Sequence, residues 1–272
     1  MPIISDILKE SSKRLRRVAK SPHKEASLLL ANSLGKDLLW LMTHDDASIE
    51  PPKEYEKNVQ RRENYWPLEY LLNSASFYSR EFYVDDRVLI PRPETEILVD
   101  FAISCTKDMN HPTIVEVGTG SGIISIILAL YVPNAKIIAT DISDDCLDVA
   151  KINAKKHGVL DKIEFRKSDM LDCIDEGIDI LVSNPPYICK DAQLDKNLSY
   201  EPDIALFGGE IGDEMIKLLI DETVMRKIKV LICEMGYDQK EKIENYLKRY
   251  SKKAKFYKDL SGIDRGFLLQ EE

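Results

Sequence analysis

The stretch "VEVGTGSGIISIILAL", residues 115–130, decides the fold. A short β-branched run ends on Gly118, glycines recur at Gly120 and Gly122, and an apolar run follows at once. Glycines so placed let a backbone turn sharply and approach a ligand closely. The reading is strand, tight turn, helix. The spacing is G-x-G-x-G, not the G-x-G-x-x-G of dinucleotide sites, and it lacks the Gly-Lys-Ser/Thr ending of a P-loop. Taken alone, such a turn is also compatible with mere close packing of strand and helix.

Around this stretch, strand-like and helix-like patterns alternate. Strands are expected at 113–118, 136–141, 162–167, 178–183 and 229–235, with helices at 122–131, 144–157, 213–225 and 238–250. That alternation predicts an α/β domain with a mainly parallel, doubly wound sheet. "AKFYKD" and "GFLLQ" follow without a long crossover between them, so they are expected to pair antiparallel.

Upstream the period changes. Residues 1–75 read as a small helical bundle, with Ser21 expected as N-cap and Pro22 at the first helical position, Gly35 ending that helix, and Pro67 breaking a later one. "SFYSREFYVDDRVLI", within 76–91, is aromatic and partly alternating and predicts a β-hairpin junction. Residues 92–272 then form the larger domain.

The chain has 272 residues and a formal net charge of −9. Residues 1–75 hold 12 Lys/Arg and 11 Asp/Glu, so the remainder carries 26 − 36 = −10. Broad nucleic-acid binding needs clustered Lys and Arg and is disfavoured. The one basic cluster, "KRLRRVAK" at 13–20, is either a solvated helix face or a partner site. Five widely spaced cysteines without a C-x-x-C pair fit reduced thiols. No signal-like leader is visible, and the most apolar window, 123–132, is too short to cross a bilayer. A soluble, cytoplasmic protein is expected, with no membrane association.

Chemistry concentrates at successive strand ends. Asp141 ends the second strand, where an acidic side chain can accept from both ribose hydroxyls. Asp169 follows the third strand and reads either as an acceptor for an adenine amino group or as a solvent-facing loop acid. After the fourth comes "VSNPPYICK", residues 182–190. Asn184 and Pro185 each precede a proline and are held extended. Pro185 and Pro186 lack N–H groups. The loop is therefore stiff and rich in acceptors. The four histidines, 23, 44, 111 and 157, have no ligand spacing, and no metal is expected.

Glycine loop, two strand-end acids and Asn-Pro-Pro-Tyr together resemble a class I S-adenosyl-L-methionine (SAM) methyltransferase. "VLIPRPETEILVD", "DISDDCLDVAKINAKKHGV", "EPDIALFGGEIGDEMIKLLI", "LICEMGYDQ" and "KDLSGIDRGFLL" are similar to the protein-(glutamine-N5) methyltransferases of the HemK/PrmC type, which act on peptide-chain release factors. The likeness covers about residues 66–270.

The resemblance implies a Rossmann-like, mostly parallel seven-stranded sheet. It implies SAM contacts from Gly118, Thr119, Gly120, Ser121 and Gly122, from Asp141 and Ile142, from Asp169 and Met170, and from Asn184. It places the substrate glutamine on Asn184, Pro185, Pro186 and Tyr187, with Asn184, Pro185 and Tyr187 catalytic. It further implies S-adenosyl-L-homocysteine as product and release factors as partners; a monomer is expected, though nothing in the sequence decides the oligomeric state. Two positions depart from the family pattern: Asn73 stands where glycine is usual, and Met170 where an aromatic residue is frequent. Asn tolerates the left-handed region better than most residues, so the turn at 73 is expected to persist.

A carboxamide nitrogen is a poor nucleophile because its lone pair is delocalised. The Asn184 side-chain oxygen and the Pro185 carbonyl could each accept one substrate N–H and stabilise charge growing on nitrogen. The "IPRPETE" stretch, with Arg92, Glu94 and Thr95, has two readings: a proline-stiffened hinge with a helix start, or the border of the site. Among other functions, a methyltransferase of nucleic-acid exocyclic amines suits the motif but not the charge. A non-catalytic module would not need the Asn184 loop. A nicotinamide oxidoreductase is disfavoured by the glycine spacing.

Overall fold

The computed structural model describes residues 1–270, in two compact units. The first comprises Met1–Ser74 together with Leu194–Tyr200. Its helices are α1 (Ile4–Leu15), α2 (Pro22–Leu34), α3 (Leu38–Thr43), α4 (Lys53–Glu63) and α5 (Leu68–Leu72). On α1 the buried positions Ile4, Ile7, Leu8, Ser11 and Leu15 follow helical spacing. They meet Leu29, Leu30, Tyr55 and Val59 in one apolar cluster. Pro22 sits in the first turn of α2 and Gly35 caps its end at φ 63°, although the Ser21 hydroxyl makes no capping bond. Asn73 adopts φ 51°, so the left-handed turn persists.

The basic cluster is only partly free. Arg14 is committed to Glu56 and Glu63 at 2.7 and 2.6 Å, whereas Lys13, Arg16 and Arg17 are exposed. Leu194–Tyr200 enters this unit through aromatic contacts. The Tyr200 ring lies 4.7 Å from that of Trp66, and its hydroxyl donates to the Asn64 carbonyl at 2.6 Å.

The second unit opens with a hairpin of β1 (Ala75–Phe77) and β2 (Arg80–Phe82), whose Phe77 and Phe82 are buried in the sheet's own core. There follow α6 (Thr95–Cys105), β3 (Thr113–Val117), α7 (Ile123–Tyr131), β4 (Lys136–Asp141), α8 (Asp144–Lys156), β5 (Ile163–Lys167) and β6 (Ile180–Ser183). The chain continues through β7 (Ile188–Cys189), α9 (Asp203–Leu206), β8 (Phe207–Gly209), α10 (Glu214–Met225) and β9 (Val230–Glu234). It ends with α11 (Lys240–Leu247), β10 (Ala254–Lys258) and β11 (Asp264–Gln270). The last expected helix is thus shorter than its pattern, closing in a 3-10 turn at Lys248–Tyr250.

Seven strands form one sheet in the order β10-β11-β9-β6-β3-β4-β5, and β7 pairs separately with β8. β5, β4, β3, β6 and β9 are mutually parallel, while β11 lies antiparallel to both β9 and β10. Alternate residues serve opposite faces. Ile114, Ile180, Val182 and Ile232 join α6 and α7 in one apolar layer, and Val115, Leu181, Leu231 and Cys233 join α10 and α11 in the other. Strands covered on both sides read as continuous apolar runs, as these do. The order reverses at β3, with β4 and β5 on one side and β6 and β9 on the other. The ends of β3 and β6 therefore open on a topological switch point, where such sheets bind ligands.

Candidate functional site

A cavity of about 450 Å³ opens at that switch point, entirely within the second unit. Its size suits a cofactor-sized molecule. Glu116 to Ser121 form one wall, Asp141 and Ile142 another, and Asp169, Met170, Asn184 and Pro186 complete the parts the sequence pointed to.

The glycine loop owes its shape to left-handed backbone. Gly118, Gly120 and Gly122 have φ of 74°, 52° and 83°. No atom lies within 4 Å of where a Cβ would stand on Gly118 or Gly120, so both present bare backbone to open space. Gly122 does different work: its Cβ would meet Ala150 of α8 at 3.0 Å, and it does not line the cavity. The loop is tied down by the amides of Gly118 and Thr119, both donating to the Thr140 carbonyl at 3.0 and 2.9 Å.

Asp141 is part of the same construction. Its two oxygens accept the amide protons of Gly120 at 2.9 Å and Ser143 at 3.0 Å. Burial nevertheless raises its pKa, with those backbone donors opposing the rise. Glu116 is 1% exposed and pushed up to about 7 by burial. One of its oxygens accepts from Thr119 and from both the amide and the hydroxyl of Ser125. The other, Oε1, is buried without a hydrogen-bond partner. Asp169 is exposed beside the cavity, and Met170 follows it at φ 47°.

At the end of β6 the Asn184 side chain is held from behind. Its amide nitrogen donates to Thr95 Oγ1 at 3.2 Å, and the Thr95 hydroxyl donates to Glu234 Oε2 at 2.7 Å. Glu234, the last residue of β9, is 2% exposed and is also pushed up to about 7, again chiefly by burial. The rest of the loop is clamped. Gln239 Nε2 donates to the carbonyls of Tyr187 and Gly212, both at 2.9 Å. A Cβ on Gly208 would come within 2.3 Å of the Pro186 carbonyl, so only glycine permits that approach. Pro185 is buried, and Tyr187 is half-buried against the α10–α11 apolar layer; neither forms part of the cavity wall. Burial, then the nearby Glu234 charge, raises the Tyr187 hydroxyl pKa.

Of the "IPRPETE" residues, Arg92 and Thr95 line the cavity, while Glu94 sits at the N-terminus of α6. Arg92 pairs with the buried Glu201 at 2.5 Å, and Glu201 also accepts the Ile90 amide proton at 3.0 Å. The border reading of this stretch therefore fits Arg92 and Thr95. Sequence reasoning assigned no role to Glu116, Glu201, Glu234 or Gln239. It also passed over Asn153, whose carboxamide joins the Tyr83 backbone to the Ser121 carbonyl. Among the described residues no group of three His, Cys, Asp or Glu could hold a metal ion, and no helix is long and apolar enough to cross a membrane.

Two protein families match the chain: "PrmC N-terminal domain" over residues 6–72 and "Methyltransferase domain" over residues 109–258. The release factor glutamine methyltransferase of Clostridium botulinum is 36% identical over 275 residues, covering 97% of each chain. A bifunctional methyltransferase of Rickettsia conorii is 34% identical over 97% of this chain, which spans 57% of that protein's length. Among solved structures, the N-terminal domain of human METTL16 in complex with SAH superposes with a TM-score of 0.52 at 18% identity. That match covers 70% of this chain and 75% of the other, and is a likeness of fold.

Proposed function

From its place in the release factor glutamine methyltransferase family, to which this chain belongs, we infer that it methylates the side-chain amide nitrogen of a glutamine, with SAM as donor. The substrate in this reading is the Gly-Gly-Gln glutamine of peptide-chain release factors, and the outcome is tuned translation termination. The chain acts as a monomer in the cytoplasm and forms no stable nucleic-acid complex.

The residues present fit SAM. The open backbone at Gly118 and Gly120 leaves room for its methionine part, and the unpartnered Glu116 Oε1 suits its ammonium group. Asp141 retains lone pairs for ribose hydroxyls, and Asp169 with Met170 borders the space for adenine. SAM supplies a methyl group on a positively charged sulfur.

The chain's own contribution is orientation and charge. Asn184 Oδ1 and the Pro185 carbonyl each accept one N–H of the substrate amide, which turns the nitrogen lone pair toward the methyl group. The same two acceptors stabilise positive charge developing on that nitrogen. Pro186 and Tyr187 supply apolar surface for the planar amide. Holding nucleophile and electrophile in line can contribute roughly 7–11 kcal/mol. Once methylated the amide nitrogen would be cationic and strongly acidic, so its proton can pass to solvent water and no strong base is required.

One observation carries this reading. Thr95 takes the Asn184 nitrogen at 3.2 Å, so the oxygen is the end left for a substrate N–H. Peptide mass spectrometry on a bacterial release factor incubated with the protein and SAM tests it. One added methyl on the Gly-Gly-Gln glutamine is expected; its absence, with SAM binding intact, overturns the substrate.

A further inference from the structure

On the methyl-transfer reading above, we propose that Thr95 and Glu234 are a positioning pair that keeps the Asn184 carboxamide oxygen, rather than its nitrogen, toward the substrate. The two ends of a carboxamide are nearly the same size, yet one accepts hydrogen bonds and the other donates. A flipped Asn184 would present donors to a substrate group that itself offers only N–H donors at this face. Sterics alone do not choose between the orientations. A directional hydrogen bond does.

The direction originates at Glu234. Ionised, as it is above about pH 7, Glu234 can only accept, so the single proton of the Thr95 hydroxyl is drawn to Glu234 Oε2 at 2.7 Å. With that proton committed, Thr95 Oγ1 can only accept from Asn184, and it receives the amide nitrogen at 3.2 Å. The flipped carboxamide would oppose two oxygens with no proton between them. Thr95 and Glu234 are 0% and 2% exposed, so water does not compete for these bonds.

The three residues come from three elements. Asn184 follows β6, Glu234 ends β9, and Thr95 begins α6. Parallel pairing of Ser183 with Cys233 brings Asn184 and Glu234 to the same sheet edge, and α6 lays Thr95 between them in the hydrogen-bond chain. Thr95 lines the cavity but has its hydroxyl engaged on both sides, so its role is to orient Asn184.

The test compares Thr95→Val, which keeps shape and removes the hydroxyl, with Thr95→Ser, which restores it. Glu234→Leu is added because it frees the Thr95 proton to bond the Asn184 oxygen. Expected are losses of about 10²-fold in kcat for Thr95→Val and Glu234→Leu, the scale of a misplaced reacting group, with Thr95→Ser within about threefold of the parent. Calorimetric affinity for S-adenosyl-L-homocysteine stays within about threefold throughout, which marks the variants as folded. Unchanged kcat in Thr95→Val, or equal losses in the Val and Ser variants, overturns the proposal. A readout independent of turnover is hydrogen exchange of the Asn184 side-chain NH₂ protons by NMR, assigned with Asn184→Asp. Thr95→Val speeds that exchange at least about tenfold if the bond exists; unchanged exchange overturns the pair. A parent protein that methylates no glutamine sinks the substrate reading alone, and exchange still decides the positioning pair.

Discussion

The glycine-loop half of the cavity and the Asn184 half each rest on a buried carboxylate, and burial pushes both Glu116 and Glu234 up to about 7. Their surroundings differ. Glu116 gathers three donors on one oxygen and leaves the other buried without a partner beside the cavity. Glu234 accepts a hydroxyl whose own oxygen then receives the Asn184 nitrogen. An acid with an open valence is arranged to receive something from outside. An acid wired to a hydroxyl directs a neighbour. The same perturbed acidity thus marks two kinds of work, and the hydrogen-bond pattern tells them apart.

The largest expected effect separates the halves. Asn184→Ala should lower kcat by about 10³-fold, the upper range for losing a preorganised polar contact, while calorimetric SAM affinity stays within about threefold. Equal loss of affinity would merge the two halves into one functional unit.

Glu116→Gln comes next and acts in the opposite sense on stability. A carboxylate raised from 4.5 to about 7 on folding contributes stability that is complete below about 4.5 and lost as pH rises through about 7. The neutral glutamine removes that loss, so the unfolding free energy above that range should rise by roughly 3 kcal/mol, measured by urea titration. SAM binding should weaken about tenfold in the same variant, because the charge that receives the ammonium is gone. A variant that becomes more stable without losing affinity would assign Glu116 to the loop alone.

The smallest effect is at Asp141→Asn, which keeps an oxygen for the Gly120 amide but loses the charge. SAM affinity should fall about tenfold, and kcat at saturation should hold within about threefold. A large kcat loss would mean that the ribose end reaches the reacting centre.

Much of this contrast was legible in the amino-acid order. "TIVEVGTGSG" shows strand and turn directly, because β-branched residues and glycines act locally. Asn184 stood out because the two prolines after it stiffen the backbone locally, a signal visible in sequence even though distant residues also clamp the loop. The left-handed turn at Asn73 was expected from the glycine usual there in the resembled family, with asparagine able to replace it. Glu234 lies within "LICEMGYDQ" but shows no role there, since its partner Thr95 lies 139 positions away. Only the β6–β9 register and the docking of α6 bring them together, and one sequence does not encode pairing in any visible period. Gln239, which pins Tyr187 from 52 positions away, was hidden for the same reason.

Leu194–Tyr200 belongs to the helical unit although the chain on both sides of it belongs to the sheet unit. During synthesis, the first 74 residues leave the ribosome long before their last packing partner, Tyr200, has been made. Trp66 must wait for it through the emergence of the glycine loop, β6 and the Asn184 turn. The helical unit therefore begins before the sheet unit and finishes only after much of it has emerged, so a chain stalled before residue 200 would carry an incomplete one.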